Sequence, residues 1–189
     1  MKKKLALISS IFIGMAPTCL LADESNLYFS GSIGGSQIGD IDVVGVNSDI
    51  EFDAGTSFDI GLGYDFGKTR LEASWQRHQT DGASWLGFSI EADVVSDSIL
   101  GALYYDFRDE KKWSPFIGAL LGSSSVEIDG VSETSFTYGV GWGIAYETSP
   151  TTDIFFKGQT VVFDQLDYPA IEVSDANATS GTIGLRYKF

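Results

Sequence analysis

From Leu27 to the end of the chain, apolar residues recur at every second position, and the repeat falls into eight stretches of about ten residues each. In the last of them, Thr179–Phe189, the residues Gly181, Ile183, Leu185, Tyr187 and Phe189 fall on one side, with Thr182, Gly184, Arg186 and Lys188 on the other. A strand with one apolar face, a cationic opposite face and a closing aromatic suits hydrocarbon outside and a polar lumen inside. Such a strand needs neighbours on both edges, because hydrocarbon offers no partner to an unpaired backbone group. The pattern therefore predicts a closed barrel with an even number of strands.

The other stretches fit that requirement. The first runs over 27–35, with Leu27, Phe29 and Ile33 opposite Tyr28, Ser30 and Ser32. The second, 56–66, sets Phe58, Ile60, Leu62, Tyr64 and Phe66 against Asp59, Gly61, Gly63 and Asp65. In the third, Leu71, Ala73 and Trp75 oppose Arg70, Glu72, Ser74 and Gln76, and in the fourth, 95–107, Ile99, Leu103, Tyr105 and Phe107 oppose Ser98, Tyr104 and Asp106. The fifth, 115–124, is ambiguous, since both faces of FIGALLG are apolar or small. The sixth, 135–147, is the clearest, with Phe136, Tyr138, Val140, Trp142, Ile144 and Tyr146 against Thr137, Gly139, Gly141, Gly143, Ala145 and Glu147. In the seventh, 153–163, Ile154, Phe156 and Val162 lie opposite Phe155, Lys157 and Gln159.

The connections alternate in length. Tight turns are expected around Gly67-Lys68, 108–114 and 148–151, and longer loops at 36–55, 78–94, 125–134 and 164–178. Outer-membrane barrels have short periplasmic turns and long outside loops, which places both termini in the periplasm. Three of the long loops hold no Lys or Arg, whereas Lys68, Arg108, Lys111 and Lys112 sit at short turns. Phe66, Phe107, Tyr146 and Phe189 end strands two, four, six and eight at that same side, the position of an inner aromatic girdle. Ahead of the barrel, Lys2, Lys3 and Lys4, an apolar run over 5–15 and Ala22 predict a cleavable signal peptide, 1–22, leaving a barrel domain over 23–189. Cys19 lies within the leader, and Ala16-Pro17-Thr18 before it is a poor site for acylation, so the mature chain is expected to lack cysteine.

Composition narrows the class. The formal charge is -14, with 22 Gly, 13 Phe, 8 Tyr and 4 Trp in 189 residues. Removing residues 1–22 takes away three lysines and no acids, so the mature charge becomes -17. Nucleic acid is excluded as a natural partner of such a surface. After the leader no apolar run approaches the length of a membrane helix, as expected when hydrophobicity is distributed over alternate residues.

GLGYDF in strand two, ALYYDF in strand four, WSPFIGALLG in strand five, FTYGVGWGIAYE in strand six and the closing GLRYKF resemble the OmpA/OmpX/opacity-type family of small outer-membrane barrels, over essentially the whole mature chain. The resemblance implies an eight-stranded antiparallel up-and-down transmembrane β-barrel. It also implies that Tyr187 and Phe189 serve as the signal read by the barrel-assembly machinery. No peptidoglycan-binding domain follows Phe189, so wall anchoring by that route is not expected. The fold carries little information about activity, since adhesins, enzymes and anchors share it.

Eight strands enclose room only for their own side chains. The inward set, Asp59, Asp65, Glu72, Asp106, Glu147 and Asp153 with Arg70, Lys157, Arg186 and Lys188, is expected to form a packed, ion-paired polar core, with a narrow ion channel as the alternative. His78, with Gln79, Thr80 and Asp81 beside it, stands at the outer end of strand three, where it is read as an exposed rim histidine; the alternative is a lipid A-modifying enzyme built on it. No serine is placed to meet it, so no catalytic residues are expected, and no cofactor or metal ligand set either.

The acidic loops carry the strongest hint of interaction. Asp40, Asp42, Asp49, Glu51 and Asp53 crowd the first loop, and Glu127, Asp129, Glu133, Asp164, Asp167, Glu172 and Asp175 the third and fourth. Solvation and repulsion of neighbouring cells, cation bridging to lipopolysaccharide phosphates, and docking of a basic bacterial or host-surface partner all fit them. Asp40-Ile-Asp lacks the rest of a calcium loop, and Asn177-Ala-Thr179 matches a glycosylation acceptor by chance. Asp97, on the lipid-facing parity, is tolerable only near the outer interface. The expected role is therefore non-enzymatic: surface contact and envelope integrity, in an outer membrane whose lipids and lipopolysaccharide surround the barrel.

Overall fold

The computed structural model describes residues 26–39, 41–42, 49–80, 83–85, 88–90, 94–108, 112–128, 131–164, 166–168, 171–173 and 176–189. Eight strands form a closed barrel: β1 Leu27–Ile38, β2 Gly55–Asp65, β3 Thr69–Thr80, β4 Val94–Asp106, β5 Trp113–Ile128, β6 Val131–Ser149, β7 Thr152–Phe163 and β8 Asn177–Lys188. Each pairs antiparallel with its neighbours in sequence, and β1 pairs with β8 from Tyr28–Lys188 to Ile38–Ala178, so no edge is left at the seam. The expected up-and-down barrel is thus the observed one. The expected signal peptide, 1–22, lies outside the described residues.

The register fixes the shape. Following cross-strand partners once around from Thr69 passes through Tyr105, Ile117, Trp142, Gly158, Gly181, Gly35 and Thr56 and returns to β3 at Gln79, ten residues above the start. A stagger of ten residues over eight strands tilts them by about 40° and gives a backbone radius of about 8 Å, for strand spacings near 4.8 Å and a rise near 3.3 Å per residue. A tilted 12-residue strand then stands about 30 Å tall, the thickness of a bilayer core. β6, with 19 residues, rises beyond β7, whose last residue Phe163 pairs with Thr137, and is matched to its end by β5.

Burial follows the predicted parity. Outward-facing Ile33, Leu62, Ile99, Leu121, Val140 and Ile183 are exposed, whereas inward-facing Ser30, Asp59, Gln76, Ser98 and Thr182 are buried. This inverts the soluble arrangement and leaves an apolar belt for lipid to cover. At the end of the barrel with short turns, aromatic pairs ring the belt: Tyr64–Phe66 (4.6 Å between centroids), Tyr105–Phe107 (5.1 Å), Trp113–Tyr146 (4.6 Å) and Tyr187–Phe189 (5.5 Å). The first turn is tight because Gly67 adopts φ 93°, while Asp65 Oδ1 accepts its N–H at 2.8 Å.

Three expectations about the loops are corrected. The stretch 125–134 is mostly strand: β5 and β6 continue their ladder to Ile128 and Val131, because alternation persists there in polar form after the apolar belt ends. Segments of the loops 36–55 and 78–94 join as one four-stranded sheet, in the order Ile41–Asp42, Asp49–Phe52, Ala83–Trp85, Phe88–Ile90. The stretch 164–178 contains a small hairpin, Leu166–Tyr168 with Ile171–Val173. The ambiguous fifth strand is resolved by closure, which points Phe116 and Leu120 inward and Ile117 and Leu121 outward.

Tyr28 is fully buried, and its ring occupies the space a Cβ on Gly63 would need. Gly63→Val should therefore lower the unfolding free energy by about 1–3 kcal/mol in urea titrations of the micelle-bound barrel. Gly101→Ala, whose new methyl meets nothing closer than Leu121 O at 3.8 Å, should change it by less than about 0.5 kcal/mol.

Candidate functional site

The lumen is filled by its own side chains in three tiers. At the turn end Arg70, 1 % exposed, donates through Nε to Asp106 Oδ2 at 2.6 Å and through Nη1 to Tyr28 Oη at 3.2 Å. Arg108 reaches Asp65 at 2.5 Å and Asp106 at 3.2 Å, and Asp153 takes both Arg186 (3.2 Å) and Lys188 (3.0 Å). The Tyr28 ring lies between two guanidiniums, with Arg186 Cζ 5.1 Å and Arg70 Cζ 5.7 Å from its centroid. Tyr28 was legible as inward from its parity, but its role as the support of both arginines was not, because it depends on the stagger that brings β1, β3 and β8 to one level. A cavity of about 10 Å³ sits among Arg70, Glu72, Tyr104 and Arg186; it admits at most a single water molecule.

Across the middle, Lys157 Nζ donates to Asp59 Oδ2 at 2.9 Å, and the Gln76 and Gln159 amides exchange hydrogen bonds of 3.2 and 2.5 Å. β3 and β7 stand on opposite sides of the ring, so this amide pair bridges the lumen from wall to wall. Above it a hydroxyl chain links Thr137, Ser124 and Ser98 at 2.7 and 2.6 Å. The loop end is closed by Ile38, Val94, Val126, Phe163 and Ala176, all buried at or near the loop ends of their strands.

The expected polar core is therefore corrected to a mixed one. Ion pairs form as anticipated, yet Leu100, Tyr104, Phe116, Leu120 and Phe155 are buried beside them. Five cations meet four carboxylates in ion pairs, with Glu72 buried beside them, and apolar side chains fill the volume that charges with no further partners cannot occupy cheaply. Glu147 departs from the expected inward set, being exposed at the turn-end mouth, where a register shift between Glu147 and Ser149 loosens the pairing.

His78 is not an exposed rim residue. It is 1 % exposed and faces the lumen, because β3 runs on to Thr80, into the stretch expected as the loop 78–94, and keeps the parity of Gln76 and Ser74. Its cross-strand neighbours are Ser57 and Ser96, and neither ring nitrogen has a hydrogen-bond partner among the described residues. Asp97 is accounted for by a partner the sequence pattern did not pair with it: Arg77, opposite on β3, forms a two-pronged contact of 2.9 and 2.6 Å, with its guanidinium 5.6 Å from the Trp75 ring.

Of the loop residues singled out, Asp40 lies outside the described residues, and Asp53 is exposed. Asp42 and Asp49 occupy directly opposed positions on neighbouring short strands, and Glu51 stands opposite Ser84. The hairpin further along repeats the arrangement, with Asp167 opposite Glu172. Like charges at directly opposed register positions destabilise a strand pair. Tyr187 and Phe189, the expected assembly signal, face outward on the girdle, with Tyr187 paired to Phe29 and Thr152.

Residues 5–189 match the family model described as outer membrane protein beta-barrel domain. No curated protein matches the chain. Neisserial surface protein A is similar in structure, with a TM-score of 0.68 and 20 % identity over 89 % of this chain and 100 % of that one. Ail, the attachment invasion locus protein of Yersinia pestis, gives 0.47 and 17 % over 87 % and 99 %, and the outer membrane protease OmpT from Escherichia coli gives 0.47 and 13 % over 87 % and 94 %.

The central ion pair gives a direct test. Lys157→Met leaves Asp59 buried without its cation and should cost about 3–5 kcal/mol of stability, whereas Lys157→Met with Asp59→Leu should recover most of that loss. Urea unfolding of the two variants in micelles reads the difference.

Proposed function

The chain belongs to the outer membrane protein beta-barrel family, and from that membership we propose that it is a non-enzymatic surface protein, acting by contact through its acidic loop end and contributing to envelope integrity. In this reading it sits in the outer membrane of a Gram-negative cell, with the loop end outside, both termini in the periplasm, and Tyr187 and Phe189 guiding its assembly. Lipids and lipopolysaccharide surround the belt. The partner at the loop end is cationic: a divalent ion bridging to lipopolysaccharide phosphate, or a basic bacterial or host surface.

The observation that carries this reading is the double placement of acidic residues at opposed register positions, Asp42 with Asp49 and Asp167 with Glu172, at one end of a chain of formal charge -14. An end arranged in this way gains free energy when cations approach it. The alternatives have less support. A channel must pass the apolar closure of Ile38, Val94, Val126 and Phe163 and then the Gln76–Gln159 bridge. A lipid-modifying enzyme needs an imidazole that meets lipid, and His78 faces away from it.

Cells displaying the protein should adhere to a polylysine-coated surface in a salt-dependent manner, and added Mg²⁺ should shift that adhesion. Asp42→Asn combined with Asp167→Asn should reduce it by several-fold with unchanged surface abundance. His78→Ala should leave both adhesion and lipid A acyl content as in the parent. Adhesion indifferent to the double substitution, or a lipid A acyl chain lost in the parent and retained in His78→Ala, contradicts the reading.

A further inference from the structure

The turn end of the lumen opens into a vestibule of about 110 Å³. Arg108, Lys112, Arg186 and Lys188 line it, on a chain that is otherwise strongly acidic. The carboxylates nearby are already shared. Asp106 is held by both Arg70 and Arg108, Asp65 by Arg108, and Asp153 by both Arg186 and Lys188. Three acids therefore serve four cations, and Lys112 has no acid partner among the described residues.

Asp106 Oδ1 is left without a partner, but Asp106 does not line the vestibule, and the unpartnered groups that do line it can donate. Ser114 Oγ lines the vestibule, buried and without a partner, and Arg186, 3 % exposed, has an unpartnered Nε. Arg108 commits only Nη2 to its two aspartates. Lys112 Nζ and the remaining protons of Lys188 Nζ add to the set. Donors without acceptors, arriving from the ends of β4, β5 and β8, call for a compact ligand that accepts from several directions at once, and a tetrahedral oxyanion does so where a planar carboxylate does not. Glu147 is the opposing feature: its exposed carboxylate stands at the mouth and competes for the same donors.

We propose that this vestibule is a phosphate-binding site, occupied by the headgroup phosphate of an anionic phospholipid or by free inorganic phosphate. The lipid source rests on the orientation proposed above, which sets the turn end at the phospholipid leaflet. The phosphate chemistry does not.

Binding is read by ³¹P line broadening with inorganic phosphate on the full barrel in non-ionic micelles. The parent protein should bind saturably. Lys112→Gln should weaken binding several-fold, and with Ser114→Ala added by about tenfold or more. Glu147→Gln should tighten it, and Lys68→Gln, which removes the same charge from a turn outside the vestibule, should change it by less than about twofold. Heat-modifiable migration checks that each variant is folded, and Lys112→Gln alone, at an exposed position, keeps the test informative if the double variant is not. No saturable binding, or an equal loss in Lys68→Gln, overturns the site. A second arm compares retention of phosphatidylglycerol and phosphatidylcholine by native mass spectrometry. Preference for the anionic lipid that Lys112→Gln abolishes identifies the headgroup as the source. Phosphate binding without that preference supports the site with free phosphate as its ligand and counts against the lipid source alone.

Discussion

Hydrocarbon has no hydrogen bond to offer, and a sheet placed in it must therefore close on itself. The pairing of β1 with β8 is the step that satisfies this condition, and most other features follow from it. Closure over eight strands with a stagger of ten sets the radius, and the radius leaves space for side chains but none for bulk water. Charges pointing inward must then find each other. They do so through Arg70–Asp106, Lys157–Asp59 and Arg186–Asp153, each buried. The same tilt decides which residues meet, since it lifts Gln159 of β7 to the level of Gln76 on the far wall.

The distribution of charge along the barrel axis gives the molecule two different ends. In sequence the long loops are rich in Asp and Glu, with Arg77 the base that meets Asp97 at that end, and cations collect at the turn end, where Lys68, Arg70, Arg108, Lys112, Arg186 and Lys188 all lie within a few residues of the turns or of the last strand's end. Inside the barrel the two signs balance. One face is therefore suited to cationic contact and the other to anionic contact, and the paired lumen keeps the two electrostatically separate.

Much of this was legible in the sequence because a strand in lipid is read by parity alone. Phe136 to Tyr146 against Thr137 to Ala145 needed no tertiary information, and the girdle residues Phe66, Phe107, Tyr146 and Phe189 declared themselves by position. What escaped was whatever parity leaves undefined. FIGALLG is apolar on both faces, so only the ladder with β4 and β6 could say that Phe116 turns inward. His78 was misplaced because polar residues beyond the belt conceal where a strand ends, and the continuation of β3 to Thr80 keeps it on the lumen side. Arg77 and Asp97 lie twenty residues apart in sequence, and nothing short of the β3–β4 register joins them. The acidic side of the candidate site was visible as composition, but the face-to-face placement of Asp42 and Asp49 was not.

The claim beneath all of this is that lipid wets every second side chain. Its most direct test is a nitroxide scan along β6, residues 136–146, in bilayers, reading collision with oxygen by electron paramagnetic resonance. Accessibility to oxygen should alternate residue by residue, high at 136, 138, 140, 142, 144 and 146 and low between them, with water-soluble nickel reagents excluded from both sets through the middle of the strand. Uniform accessibility, or nickel reaching the even-numbered positions at mid-strand, would contradict the placement of this barrel in a membrane.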